Sequence, residues 1–129
     1  MANPLTEKLE EGSVGELLVI IRLLQYGVQA SFTLKDSGND LIGVKGRSMR
    51  TIQVRTSVKG KWKAPKTTKT YGILALVSLK ASEQRVELDQ SEIYLLSRSE
   101  VGDKKSFSDE ESLVKFSLSK NRVNALFQR

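Results

Sequence analysis

Histidine and cysteine are both absent from the 129 residues. Any chemistry therefore falls to carboxylates, amides, hydroxyls, Lys and Arg, or to a metal that such groups can hold. The stretch that supplies them together is NDLIGVKGRSMRTIQVRTS, Asn39 to Ser57. Leu41–Lys45 reads as one strand leaving through Gly46. Arg50–Thr56 reads as a second, whose alternation puts Ile52 and Val54 on one face and Thr51, Gln53 and Arg55 on the other. A hairpin of these strands lays Asp40 near Gln53 and Arg55, placing a carboxylate, an amide oxygen and a fixed cation at one end of a sheet. Hard oxygens suit Mg²⁺, which keeps several waters and takes one or two carboxylates, and a cation beside them suits a phosphodiester. Asp36 is the competing acid, but its Asp-x-Gly setting points to a local backbone-capping role.

The elements that must position these groups can be read on either side. Ser13–Tyr26 has the spacing of a helix, with Val14, Leu17, Leu18, Ile21 and Leu24 recurring, Ser13 as cap, Glu16 completing a capping box and Gly27 as the stop. Val19, Ile20 and Leu23 are apolar too, so the helix is expected to be buried on much of its circumference. Glu16 has two compatible readings, as a capping residue and as a carboxylate able to reach the end of the sheet. Val28–Leu34 is expected to be a strand that turns through Lys35–Gly38 towards Asp40. Tyr71–Leu79 (YGILALVSL) has the continuous apolar character of a central strand covered on both faces. Val86 and Leu88 extend a hairpin in this reading, Glu92–Ser97 is the next strand, and Arg98–Ser112 is an exposed loop or short helix. Val114, Phe116 and Leu118 alternate as a late strand. Ser119 caps a terminal helix with Val123, Leu126 and Phe127 on one face and Arg122 and Arg129 outside.

Charge is distributed unevenly. The net charge is +6, yet from Leu41 to Ser82 there is no Asp or Glu, while Lys45, Arg47, Arg50, Arg55, Lys59, Lys61, Lys63, Lys66, Lys69 and Lys80 all fall there. So one-sided a segment favours an anionic polymer over a merely solvated face. Within it, VKGKWKAPKTTKT (Val58–Thr70) reads as a loop whose lysines sit on phosphates. Trp62 either stacks on nucleic acid or folds back over the edge of the core with lysine stems against it. The length supports a single domain, 1–129. No apolar run reaches membrane-spanning length, and a signal-peptide layout is absent at the N-terminus, so a cytoplasmic protein is expected.

Asp40, the turn, Gln53-Val54-Arg55 and an upstream helix carrying Glu16 together resemble the PD-(D/E)XK (restriction endonuclease-like) nuclease superfamily, in particular its small homing endonucleases and Holliday junction resolvases. The likeness covers roughly the first two thirds of the chain, in the order helix, strand, strand, strand. It implies an α/β fold with a restriction endonuclease-like core, a mixed central sheet flanked by an N-terminal and a C-terminal helix. It also implies a metal-dependent DNA endonuclease using Mg²⁺, or Mn²⁺ as a substitute, with Asp40 as central ligand, Gln53 where the family usually has Glu, and Glu16 as an accessory ligand or water-positioner. Asn39 stands where the family often has Pro, and Arg55 where it has Lys. Arg is permanently charged, so Arg55 can offset phosphate charge but cannot act as a base. The space between the third and fourth strands is also too short for the family's usual long helix. Lys45, Arg47, Arg50, Lys59, Lys61, Trp62, Lys63, Lys66 and Lys69 are the expected DNA-contacting residues. A homodimer or higher homo-oligomer is expected because cutting two strands takes two sites. The alternatives are a non-catalytic nucleic-acid-binding member of the same fold and an interaction protein whose lysines confer solubility.

Overall fold

The computed structural model describes residues 8–33, 40–66, 70–81, 85–110 and 112–128. The chain runs α1 (Lys8–Leu24), β1 (Gln29–Phe32), β2 (Leu41–Lys45), β3 (Ser48–Ser57), β4 (Lys61–Lys63), β5 (Ile73–Ser78), β6 (Glu92–Ser97), α2 (Arg98–Val101), β7 (Ser106–Ser108) and α3 (Lys120–Leu126), with 3-10 turns at Leu88–Gln90 and Val114–Phe116. This is a mixed α/β architecture with helices at both ends and a five-stranded sheet ordered β1-β2-β3-β5-β6. β3 and β5 pair in parallel, and the other neighbours are antiparallel.

Two apolar layers hold the sheet. On one face Leu18, Val19 and Leu23 of α1 and Val123 and Phe127 at α3 pack on Leu41, Ile52, Val54, Ile73, Ala75 and Leu95. On the other, Trp62, Tyr71, Val101, Phe107 and Leu113 pack on Leu74, Leu76, Tyr94 and Leu96. β5 takes part in both layers and is buried at every position, which is why its sequence is apolar without alternation. The covering on the second face is anchored by the two-stranded β4–β7 sheet, with Trp62 opposite Phe107.

The β2–β3 hairpin forms in the expected register, Leu41 opposite Ile52 and Ile42 opposite Thr51. Gly27 ends α1 with φ of 82°, a conformation that costs glycine little. Ser119 caps α3, its hydroxyl accepting from Arg122 N–H at 3.1 Å.

Several expectations are corrected. The first helix begins at Lys8, so Ser13 lies inside it and the capping box with Glu16 does not form. That helix is also less enclosed than its composition implies, since Leu17, Ile21 and Leu24 are 48%, 53% and 59% exposed. Val58–Thr70 is not all loop, because β4 lies within it and Trp62 is 4% exposed in the second core, its Nε1–H donating to Val77 O at 3.0 Å. The expected hairpin extension at Val86 and Leu88 is a single bridge, Ala81 with Val86, followed by a 3-10 turn. The expected late strand at Val114–Leu118 is a 3-10 turn with Val114 76% exposed. The segment does meet the outer edge of β6, the last strand of the sheet, but only through the bridge of Ser117 with Tyr94 and the Leu118 N–H on Ile93 O, because Val114–Phe116 has already closed into the 3-10 turn. Arg122 is not outside; its Nε–H donates to Leu95 O at 2.9 Å and its guanidinium pairs with Glu100. The turn Lys35–Gly38, with Asp36, and Arg129 lie outside the described residues.

The approach of α1 to β3 depends on Gly15. A Cβ there would stand 1.8 Å from Thr56 Oγ1 and 2.9 Å from Thr56 Cβ, separations no packing tolerates. Gly15→Ala should therefore push the helix off the sheet and destabilise the protein by about 1–3 kcal/mol, in the range of overpacked core substitutions. Urea unfolding would measure this, and wild-type stability in the variant would show that the contact does not constrain the helix.

Candidate functional site

Asp40 stands one residue before β2, and its N–H donates to Ile52 O at 3.2 Å. Its side chain closes the end of the hairpin, Oδ2 accepting from Val54 N–H at 2.8 Å and from Gln53 Nε2 at 3.1 Å. Asp40 and Gln53 are thus brought together as their spacing implies. Gln53 is 3% exposed. With its amide NH₂ donating to Asp40, its Oε1 is left buried without a hydrogen-bond partner among the described residues. Such an orphaned oxygen costs on the order of 1–3 kcal/mol unless something else satisfies it.

Glu16 enters from α1, in the turn that Gly15 lets down onto β3. Burial pushes its carboxyl above the ordinary value of 4.5, and the negative charge of Asp40 and a side-chain hydrogen bond to Asp40 raise it further. Burial and the neighbouring carboxylate both disfavour the charged form of Glu16. With the capping box gone, that contact is what Glu16 does in this fold. Arg55 lies two residues beyond Gln53 on the same strand face, half-buried, and makes no hydrogen bond or ion pair among the described residues.

The donor set is two carboxylates and an unsatisfied amide oxygen. No cluster of three or more His, Cys, Asp or Glu side chains occurs among the described residues, so a third protein oxygen here has to come from an amide or the backbone. The set fits a hard divalent cation of the Mg²⁺ or Mn²⁺ type, which takes a few protein oxygens and keeps its waters. The orphaned Oε1 is the feature that such an ion would satisfy.

The basic residues divide into groups. Lys45 Nζ–H donates to Tyr26 O at 3.3 Å, steadying the end of α1. Arg50 donates from Nε to Leu126 O at 3.1 Å and from its guanidinium to Gln128 O at 2.5 Å, which ties down the end of α3. Arg47, Lys59, Lys61, Lys63 and Lys66 are exposed, and Lys69 lies outside the described residues. Lys61 and Lys63 flank Trp62 on β4 and face away from the core it fills. Trp62 is corrected as a stacking residue: its ring sits edge-on to Tyr94 at 6.3 Å and has no free face for a base. Sequence reasoning missed a further basic group. Lys66 shares a cavity of about 340 Å³ with Tyr71, Arg98, Lys104 and Lys105, and the Arg98 guanidinium lies 4.4 Å over the Tyr71 ring. Nothing in local spacing connects residues so far apart. Gly15 and Thr56 were missed as well, and a glycine inside a helical pattern was the available signal.

No known family's sequence profile matches the chain. No curated protein matches it either. Among solved structures, the fold is similar to that of the bacterial homing endonuclease I-Ssp6803I, with a TM-score of 0.66 over 98% of this chain and 93% of that one, at 13% sequence identity. At that identity the likeness establishes a shared fold across nearly the whole of both chains. No helix among the described residues is long and apolar enough to cross a membrane.

The raised Glu16 pKa has a signed consequence. The folded state holds this proton to higher pH than the unfolded chain, so the associated stability is full below about 4.5 and is lost as pH rises through the raised value. Glu16→Gln, neutral throughout, should melt modestly higher than wild type at pH 8 in chelator, with the difference shrinking towards pH 4, as thermal melts across pH would show. A constant difference across that range would remove the burial of Glu16 beside Asp40 as a source of pH-dependent stability.

Proposed function

We propose that the protein is a divalent-metal-dependent DNA endonuclease of the PD-(D/E)XK type, hydrolysing phosphodiester bonds. The observation that carries this reading is the convergence of Asp40, Glu16 and the partnerless Gln53 Oε1 at one sheet end. The fold shared with a homing endonuclease supports it. Asp40, Gln53 and Glu16 would hold Mg²⁺, with Mn²⁺ as a substitute. When bound, the ion lowers the pKa of a water and offsets charge on the departing oxygen. The Val54 N–H and the Gln53 amide orient Asp40. Glu16 would have to be ionised to hold the ion, and its raised pKa would make affinity rise with pH. Arg55, the half-buried cation on the same face, offsets charge on the scissile phosphate and moves no proton. DNA is the partner, held by Arg47, Lys59, Lys61, Lys63, Lys66 and Lys69, in a cytoplasmic protein. The exposed Leu17, Ile21 and Leu24 on α1 favour a homodimer or higher assembly, which gives two sites for two strands.

One observation favours a second reading, a nucleic-acid-binding protein that has lost catalysis: Arg55 cannot release a proton where a Lys could. Incubation with supercoiled, linear, single-stranded and four-way-junction DNA, with and without Mg²⁺ or Mn²⁺, separates the two. Metal-dependent cutting should fall at least about 100-fold in Asp40→Ala, since even residues behind a metal's direct ligands cost 10–100-fold. Binding without cutting, with activity appearing in Arg55→Lys, would establish the second reading. Neither binding nor cutting would remove both.

A further inference from the structure

The sheet is covered unequally. α1 and α3 lie on one face, and the opposite face is roofed over β5 and β6 by β4, β7 and α2, a cover that reaches β3 by Gln53, which is buried. Among the described residues, β1, β2 and the first half of β3 are left exposed or half-buried on this face. The register places Gln29 beside Val44, Ser31 beside Ile42, Ile42 beside Thr51 and Val44 beside Met49, so these side chains form one continuous surface. Gln29 and Ser31 are exposed, Val44 is 39% and Met49 63% exposed, and Thr51 is half-buried. The next position on this face of β3 after Thr51 is Gln53, hydrogen-bonded to Asp40, and Arg55 follows.

We propose that this open β1–β3 face reads base edges in the major groove of duplex DNA, with Gln29, Thr51, Val44 and Met49 as specificity-determining residues and Arg47 on a flanking phosphate. The inference rests on the endonuclease reading for the position of the scissile phosphate, and it names the side chains that choose the sequence cut. Three observations carry it. The first is shape: β1, β2 and β3, at about 4.8 Å per strand spacing, present a strip about 10 Å across at the free edge of the sheet, against a groove about 12 Å wide. The second is chemistry: Gln and Thr both donate and accept, matching the mixed pattern of base edges, while exposed Val44 and Met49 suit the thymine methyl. The third is charge. Arg47 stands exposed at the hairpin tip and Arg55 at the opposite end, with no acid in residues 41–66. A second copy laid on the same face would offer these guanidinium groups only Asp40, which is already hydrogen-bonded to Gln53 and Val54, whereas DNA supplies a phosphate to each. The open face also runs directly into the Asp40–Gln53 pair, so DNA seated on it has its backbone beside the candidate metal ligands.

The test is selection of bound duplexes from a randomised pool by the full-length protein in chelator, where no cutting is needed, followed by sequencing. Circular dichroism and size-exclusion chromatography check fold and assembly. Wild type should enrich a defined sequence. Met49→Ala and Thr51→Ala should each relax preference roughly 5- to 100-fold at one or two adjacent base pairs while leaving affinity for unrelated DNA unchanged. Arg47→Ala should weaken all sequences alike and reduce the salt slope by about one. An unchanged preference in both face variants overturns the proposal. So does a variant that alters assembly with preference intact, because the face is then an interface between copies. Preference that shifts as expected in a protein that never cuts with Mg²⁺ upholds base reading and sinks the nuclease. Cutting with preference indifferent to the face sinks base reading alone, and failure to bind any DNA sinks both.

Discussion

The close seating of α1 on β3 is the contact on which the rest of the site depends. It requires a missing side chain at Gly15, where Thr56 occupies the space a Cβ would need. Because the backbone comes so near, the next residue, Glu16, reaches the carboxylate of Asp40 at the mouth of the β2–β3 hairpin. A helix held farther off would keep its apolar contacts through Leu18, Val19 and Leu23 in weakened form, but Glu16 would return to water. Thr56 Oγ1, buried without a partner among the described residues, is part of the cost of that approach.

The same corner concentrates features that oppose stability. Two carboxyls face each other, an amide oxygen is buried unsatisfied, and a half-buried guanidinium has no acid paired with it among the described residues. Elsewhere the fold satisfies its charges economically, as where Arg122 joins α3 to Leu95 and Glu100 and Arg50 holds the end of α3. A buried Ser48 Oγ at the hairpin tip also lacks a partner among the described residues, but it stands alone, whereas several such features gathered at one corner are what a ligand site is expected to look like, since the ligand supplies what the protein alone lacks.

Net positive charge proved a blunt guide to function. Within the basic segment, Lys45 and Arg50 neutralise helix ends, where carbonyls carry partial negative charge, while Arg47, Lys59, Lys61, Lys63, Lys66 and Lys80 are offered outward. The same segment carries Trp62, whose lysine neighbours suggested nucleic acid although the ring itself anchors the second core. Alternation around it, exposed–buried–exposed, was the sign that a short strand ran through the apparent loop.

What the sequence by itself determined is the local part. The alternation in β3, the unbroken apolar run of β5, the cap at Ser119 and the stop at Gly27 are properties of neighbouring residues, and Asp40 was bound to meet Gln53 once a tight hairpin formed between them. The tertiary structure alone decided the rest. Whether Glu16 capped a helix or faced Asp40 depended on where α1 began and how closely it lay on β3. Whether Val114–Leu118 became a strand depended on how much of it lay along the outer edge of β6, which it meets at the bridge of Ser117 with Tyr94. Which face of β1–β3 stayed open depended on β4 and β7 finding each other across more than forty residues of sequence. These outcomes are set by competition among distant segments for the same surface, and period and propensity within one segment carry no information about the competitor.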